Sequence, residues 1–387
     1  MKPRLIVLLA ILIGSFTGVI AWRWANAAPA TPAGPESATA TSSVDAAPGG
    51  SALSAPTTTE PSRLVERLAY VTTRRGTPLA TEPGEAGTPV AGGVLLPVLA
   101  ETEGGYRIFD VCNQEGWVDA SEVDQGMVPA EPEPGRFDEA IFVIDPGHGV
   151  PDYGAVGPSG LAETEVNLDV ASRVVDLLGS PHTIDWDTGG ITRGDEIPAA
   201  ATAVLTRSPD GPNEGDYQLG LTYRATVANA LDATALVSIH HNTVPEMNLD
   251  HPGSEAFVSV DNPESPRLGG LIVEELRTAL ARFDADWTGS PGDGLISRVD
   301  SEGDDYYTIL NHAEVPAAII EGAYISNPTE EALAMTDEFR QAYAEAVYRG
   351  MVRFVTTDEY PIPAPEPDLW EVDRPAPSMS DCRVPPP

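Results

Sequence analysis

Lysine is almost missing from this chain. Lys2 is the only one in 387 residues, and arginine raises the basic total to just 22 against 59 acidic residues. A formal charge of −37 repels phosphate backbones, which excludes a nucleic-acid partner. Cysteine is scarce too: Cys112 and Cys382 are too few for a four-thiolate metal site or a disulfide scaffold. What is present is a 42% hydrophobic content, enough to bury a core and to exclude wholesale disorder. The 37 prolines and 36 glycines exceed the needs of one compact domain, so part of the chain reads as linker.

Lys2 and Arg4 precede an uncharged apolar run at 5–22, and Ala25-Asn26-Ala27 then gives a small-x-small cleavage pattern. Residues 1–27 therefore read as an export signal or, if uncleaved, a membrane anchor. The length of the run, and Arg23 and Trp24 at its outer edge, lean towards retention. Either way the rest of the chain lies outside the cytoplasm, in the cell envelope or secreted. Residues 28–62 read as a disordered linker, because 29 of the 34 residues at 28–61 are Ala, Pro, Thr, Ser or Gly. As a flexible coil this stretch would span on the order of 30–35 Å. Residues 358–387 form a Pro-rich acidic tail carrying an isolated Trp370. Thiols outside the cytoplasm tend to oxidise, and a Cys112–Cys382 disulfide would tie this tail back to the earlier part of the chain.

Between the tails lie two units. The first, 63–124, has short β-like runs at 67–72, 94–99, 106–111 and 116–118, separated by Gly and Pro, which suggests a small all-β barrel. The apolar run at 94–99, then Gly105-Tyr106-Arg107-Ile108, then Glu115-Gly116-Trp117-Val118, resembles a bacterial SH3-like domain. Similar domains in exported hydrolases often bind cell wall, although Trp117 reads first as a core aromatic. A linker is expected at 125–136. The second unit, 137–357, alternates strands and helices. Val166, Val170, Val174 and Leu177 are spaced by four, four and three, which is one face of a helix over 163–178. Strand candidates lie at 140–144, 203–206, 235–239, 255–260 and 317–320, with further helices at 219–231, 268–283 and 337–355. The fold class is α/β: a mostly parallel twisted sheet flanked by helices, preceded by the SH3-like barrel.

Polar chemistry collects where three of the strands end. The first runs into Asp145-Pro146-Gly147-His148-Gly149, a tight turn with little side chain around His148. Glu163 starts the amphipathic helix, the run at 235–239 delivers His240, His241 and Asn242, and the run at 317–320 delivers Glu321. In open α/β sheets the functional crevice lies at the carboxyl ends of the strands, so two histidines and two glutamates should converge. Singly, each has an ordinary explanation: a turn histidine, a carboxylate at a helix start, a strand-end glutamate paired with arginine. Together they match a catalytic zinc, which needs three N/O ligands, an open fourth position and a spare carboxylate. His182, His251 and His312 lie in polar, loop-like contexts and are assigned no role.

These residues also carry a family resemblance. The 145–149 turn, Gly160-Leu161-Ala162-Glu163 followed by Val166-Asn167-Leu168, the 204–207 run, and Leu221 with Arg224 fit one pattern. So do the 237–240 run with Asn242, Gly253 with Glu255, and the 321–327 run. Their order and spacing resemble the zinc-dependent N-acetylmuramoyl-L-alanine amidases across essentially the whole second unit. The resemblance implies one zinc held by His148, Glu163 and His240, with Glu321 as the catalytic carboxylate. It also implies peptidoglycan as substrate, cut at the amide between N-acetylmuramic acid and the L-alanine of the stem peptide, by a monomer. Asp145 is expected to orient a ligand histidine. His241 stands where the family usually has a small residue, so it is expected to be an extra cleft group or a fourth, inhibitory ligand. The 182–198 segment reads as a surface excursion at the cleft rim, and 284–305 as a Gly/Asp-rich loop that gates the cleft. The alternatives are a zinc peptidase cutting another peptidoglycan amide, and a wall-binding protein without activity. Retention of all four polar residues argues against the latter.

Overall fold

The apolar strands of the second unit are buried on both faces, and their alternation decides what each face meets. In the computed structural model, residues 65–209, 219–243, 252–290, 293–361, 366–373, 382 and 384 are described, all within one compact unit spanning 61–387. The expected export segment 1–27 and linker 28–62 lie outside the described residues. Among the described residues no helix is long and apolar enough to cross a membrane.

The main sheet is built from β8 (Ile141–Pro146), β11 (Thr202–Leu205), β12 (Ala235–Asn242), β13 (Glu255–Val258), β14 (Leu295–Val299), β15 (Ala317–Tyr324) and β16 (Asp368–Glu371), in the order β11-β8-β12-β15-β13-β14-β16. Only the β15–β13 pairing is antiparallel, so the sheet is mostly parallel. Phe142, Ile144, Val237 and Ile239 face α1 (Glu163–Leu178), α3 (Ser265–Leu280) and α6 (Asp337–Thr356). Ile141, Val143, Leu236 and Ile319 face the other way, onto α2 (Leu221–Leu231) and α4 (Thr308–Asn311). The helix α1 has the bounds its spacing predicts, and Val166, Val170 and Val174 on its inner face are fully buried. A short α5 (Pro328–Ala334) follows β15.

The preceding β-rich unit comprises β1 (Glu66–Thr73), β2 (Thr77–Leu79), β3 (Thr88–Val90), β4 (Leu95–Thr102), β5 (Gly105–Phe109), β6 (Glu115–Asp119) and β7 (Val123–Pro129). Five of these form an antiparallel sheet in the order β6-β5-β4-β1-β7, and β2 pairs with β3. The linker expected from residue 125 starts later, because β7 continues to Pro129 alongside β1. This unit packs on α2, which covers that face of the main sheet: Val71, Leu96 and Ile108 share one apolar core with Tyr223, Val227 and Leu231. The Arg67 guanidinium donates to the Ala230 and Leu231 carbonyls at 3.1 and 2.8 Å, satisfying acceptors that the end of α2 leaves free.

Three expectations are corrected. The 182–198 segment is a hairpin of β9 (His182–Asp185) and β10 (Gly190–Arg193) that follows the C-terminus of α1, the end away from Glu163. The Gly189 carbonyl accepts from Arg349 there, and His182 is buried against Tyr348 rather than in a polar loop. The gating loop expected at 284–305 contains β14, paired with β13, and closes on a buried Asp305 that accepts from Ser259 and Val260. The tail is not wholly linker either: β16 adds to the sheet edge beside β14, and Trp370 packs edge-on against Phe257. The expected disulfide between Cys112 and Cys382 is present.

Candidate metal centre and its cleft

His148 leaves β8 in the left-handed region, φ 63°, a conformation that costs a non-glycine residue about 1–3 kcal/mol and must be held by its surroundings. Arg224 of α2 holds it. Its guanidinium donates to the Pro146 carbonyl at 3.0 Å and the His148 carbonyl at 2.6 Å, and pairs with Asp145 at 2.6 Å. Asp145 also accepts from the Ser238 and Thr206 hydroxyls. Burial works against charge on this carboxyl, but Arg224 and the two hydroxyls hold it below the ordinary aspartate range. Asp145 therefore fixes the turn through Arg224 and touches neither histidine ring, contrary to the sequence expectation. The partner of the His148 ring is Asp152, whose Oδ2 lies 2.8 Å from Nδ1. Sequence reasoning passed over Asp152, although a carboxylate four residues from a ligand histidine is a recognisable signal.

Glu163 projects from the first turn of α1 between the two imidazoles. Its Oε1 lies 3.0 Å from His240 Nδ1, and its Oε2 lies 3.2 Å from His148 Nε2. Backbone amides complete the cradle: His241 N donates to Oε1 at 3.0 Å and Ala155 N to Oε2 at 2.8 Å. Burial opposes ionisation of Glu163, and hydrogen bonds from both histidines keep it well below the usual carboxylate range. Burial likewise opposes charge on His148, yet Asp152 and Glu163 push it up to about 10. One ligand atom from each of His148, Glu163 and His240 lies within 4.8 Å of the others. Two glycines permit this approach. A Cβ on Gly154 would sit 2.5 Å from Glu163 Oε2 and one on Gly147 would sit 2.1 Å from His240 Nε2. Two imidazole nitrogens and a carboxylate oxygen in one half-closed cradle fit a small divalent cation.

Glu321 is the neighbour of His240 across β12 and β15, and of Glu255 across β15 and β13. It is buried, and its Oε2 has no hydrogen-bond partner. Burial, then the charges of Glu163 and Glu255, raise it well above the ordinary glutamate range. Glu255 itself is tied down by Asn242 at 2.9 Å and by the Tyr324 hydroxyl at 2.8 Å. Tyr324 therefore has a polar duty as well as a packing one. His148, Glu163, His240 and Glu321 all line one cavity of about 500 Å³, walled on the apolar side by Leu219, Leu221, Tyr307 and Ile309. His241 does not join the ligand cluster. Its ring is buried against Tyr343 at a centroid distance of 5.4 Å, with Nδ1 bonded to Asn167 Oδ1 at 2.9 Å. Burial lowers it to about 4, so it is neutral at neutral pH.

The sequence profile of the N-acetylmuramoyl-L-alanine amidases matches residues 142–186 and 195–353, more than half of the chain. The chain belongs to this family. Within the amidase match, the interruption at 187–194 falls on the β9–β10 hairpin, and β16 lies beyond its end. A germination-specific N-acetylmuramoyl-L-alanine amidase of Bacillus subtilis is 27% identical over 224 residues, covering 56% of this chain and 80% of that protein. An N-acetylmuramoyl-L-alanine amidase of Mycobacterium tuberculosis is 28% identical over 235 residues, covering 58% of this chain and 90% of that protein. Among solved structures, the amidase AmiC2 of Nostoc punctiforme is 24% identical and covers 56% of this chain and 96% of its own, with a TM-score of 0.40.

Proposed function

We propose that this amidase is a zinc-dependent peptidoglycan hydrolase acting outside the cytoplasm, cutting the amide between N-acetylmuramic acid and the L-alanine of the stem peptide. The observation that carries the reading is the convergence of His148, Glu163 and His240 within 4.8 Å, in one cleft with the buried Glu321. Zinc bound by the three would polarise the scissile carbonyl and acidify water beside it. The chain's own residues do the rest. Asp152 fixes the tautomer of His148 by accepting a hydrogen bond from its Nδ1–H, which leaves Nε2 as the ligand atom. Glu321 takes the proton of the attacking water on its unpartnered Oε2 and passes it to the leaving amine. Its raised proton affinity suits both steps, since the group must hold the proton between them. The apolar wall of Leu219, Leu221, Tyr307 and Ile309 excludes water from one side of the cut bond.

The domain plan belongs to the same reading: an export signal or anchor at 1–27, a tether at 28–62, an SH3-like unit, and the catalytic unit from 137 to 357, acting as a monomer. The half-buried Trp117, which lines a groove with Pro83, Gly84 and Thr102, supports a wall contact for the SH3-like unit. Purified wall treated with the enzyme should release new L-alanine amino termini, and chelation should stop the reaction until zinc is restored. A different new terminus would make the protein a peptidase, and no cleavage at all would leave it a wall binder.

A further inference from the structure

Asn167 sits one turn into α1, four residues from Glu163, and is fully buried. Its amide NH2 reaches two acceptors, Glu163 Oε1 and the Gly147 carbonyl, each at 3.3 Å. The amide carbonyl must therefore face the other way, and there it meets His241 Nδ1 at 2.9 Å. With the NH2 committed to two acceptors, the ring has to present its N–H from Nδ1. That leaves His241 Nε2 as a bare acceptor, and it is buried without a partner. The ring is held on its other side by Tyr343, whose hydroxyl lies 3.1 Å from the His240 carbonyl and 2.8 Å from the Ile320 carbonyl.

We infer that His241 is a positioning residue for the metal centre: by donating from Nδ1 to Asn167 it locks the amide so that its NH2 faces Glu163 Oε1 and the Gly147 carbonyl. A buried primary amide has two orientations related by a flip, and only one of them offers a donor to the carboxylate. The flipped amide would turn its oxygen towards Glu163 Oε1 and the Gly147 carbonyl, setting acceptor against acceptor; without the Nδ1 donor the amide loses its anchor on the oxygen side and its NH2 is held less firmly against them. Glu163 and Gly147 flank the ligand cradle from two sides, so one side chain behind the site holds both the ligand carboxylate and the turn that carries His148. His241 in this role borders the cleft but is not one of the three grouped ligands.

The inference rests on zinc binding by the three proposed ligands, and the experiment separates the two. Zinc affinity is measured by competition with a chromophoric chelator on the full chain, with thermal unfolding of each metal-free variant as the check on folding. His241→Ala should weaken zinc binding roughly 10–100-fold, the usual cost of losing a partner behind a metal ligand. His241→Asn places an amide nitrogen where Nδ1 was and should restore most of the affinity. His241→Gln, which places its nitrogen nearer the Nε2 position, should not. Asn167→Ala should lose about as much as His241→Ala, and the double variant should lose no more than Asn167→Ala alone. Should the alanine variant not fold, the contrast between asparagine and glutamine carries the test. Unchanged affinity in His241→Ala, rescue by glutamine rather than asparagine, or additive losses would each overturn the inference while leaving the metal site standing. A wild-type chain that binds no zinc would overturn the metal reading and this inference with it.

Discussion

Glu163 and Glu321 line the same cleft, yet their surroundings push them in opposite directions. Glu163 accepts from two histidines, two backbone amides and the Asn167 side chain, and is held well below the usual carboxylate range; Glu321 has a bare Oε2 and two carboxylate neighbours, which raise its proton affinity well above that range. Carboxyl groups driven apart in this way take different roles, one as ligand and one as proton carrier. Glu321→Gln should therefore keep about one zinc per chain while hydrolysis falls roughly 10²–10⁴-fold. His148→Ala and His240→Ala should lose metal and activity together, as metal analysis beside the rate assay will tell. If Glu321→Gln lost zinc and Glu163→Gln retained it, the roles would be exchanged. Asp145 supplies a pH prediction. Its folded proton affinity lies below the unfolded value of 3.8, so its stabilisation is complete above that value and is lost as the pH falls through the folded one. Asp145→Asn, which leaves Arg224 buried and unpaired, should cost about 3–5 kcal/mol at neutral pH. Its stability, followed by denaturant titration, should also fall less steeply than the wild type's below pH ~4.

At the scale of elements, the site is made where β8 ends, beside the two parallel strands β12 and β15 that run on past it. The β8 turn, His240 on β12 and Glu321 on β15 are brought side by side by register alone. The turn after β8 adds the tolerance. Gly147 does not have a positive φ, so an alanine there is acceptable to the backbone, but its Cβ would lie within 2.1–2.5 Å of three His240 ring atoms. Gly147→Ala should thus move the ring and lower zinc affinity while changing thermal stability less. Equal zinc affinity in this variant and the wild type would show that the ring has room the geometry denies. The helix α2 links this site to the rest of the molecule: Arg224 grips the His148 turn on one side, and Tyr223 donates to the Leu95 carbonyl on the other.

Across the whole molecule, the β-rich unit is part of the catalytic body rather than a module on a leash. It shares an apolar core with α2, and the tail returns across the chain to pin Cys382 to Cys112. The cross-link joins residues 270 apart in sequence, and closing so long a loop restricts the unfolded chain strongly. Cys382→Ser should lower unfolding stability by about 2–5 kcal/mol under oxidising conditions, and the two proteins should converge when reductant is added. A difference that survives reduction would locate the effect in packing around Val111 and Cys112 instead.

The sequence alone determined the helix at 163–178, the order of five strands and four helices of the second unit, and the four polar residues of the cleft. It could do so because burial writes a period into apolar residues, and because motif residues sit at strand ends whatever the loops between them do. It also marked His241 as out of place without saying why. Tertiary structure decided the rest. Asp152 rather than Asp145 meets the His148 ring, because Asp145 is claimed by Arg224 from a helix 79 residues away. β16 carries too little apolar pattern of its own, with all four residues exposed, and becomes a strand because the sheet edge at β14 offers it hydrogen-bond partners. The direction in which His241 points depends on an amide and a tyrosine 74 and about 100 residues distant, and no local pattern encodes that meeting.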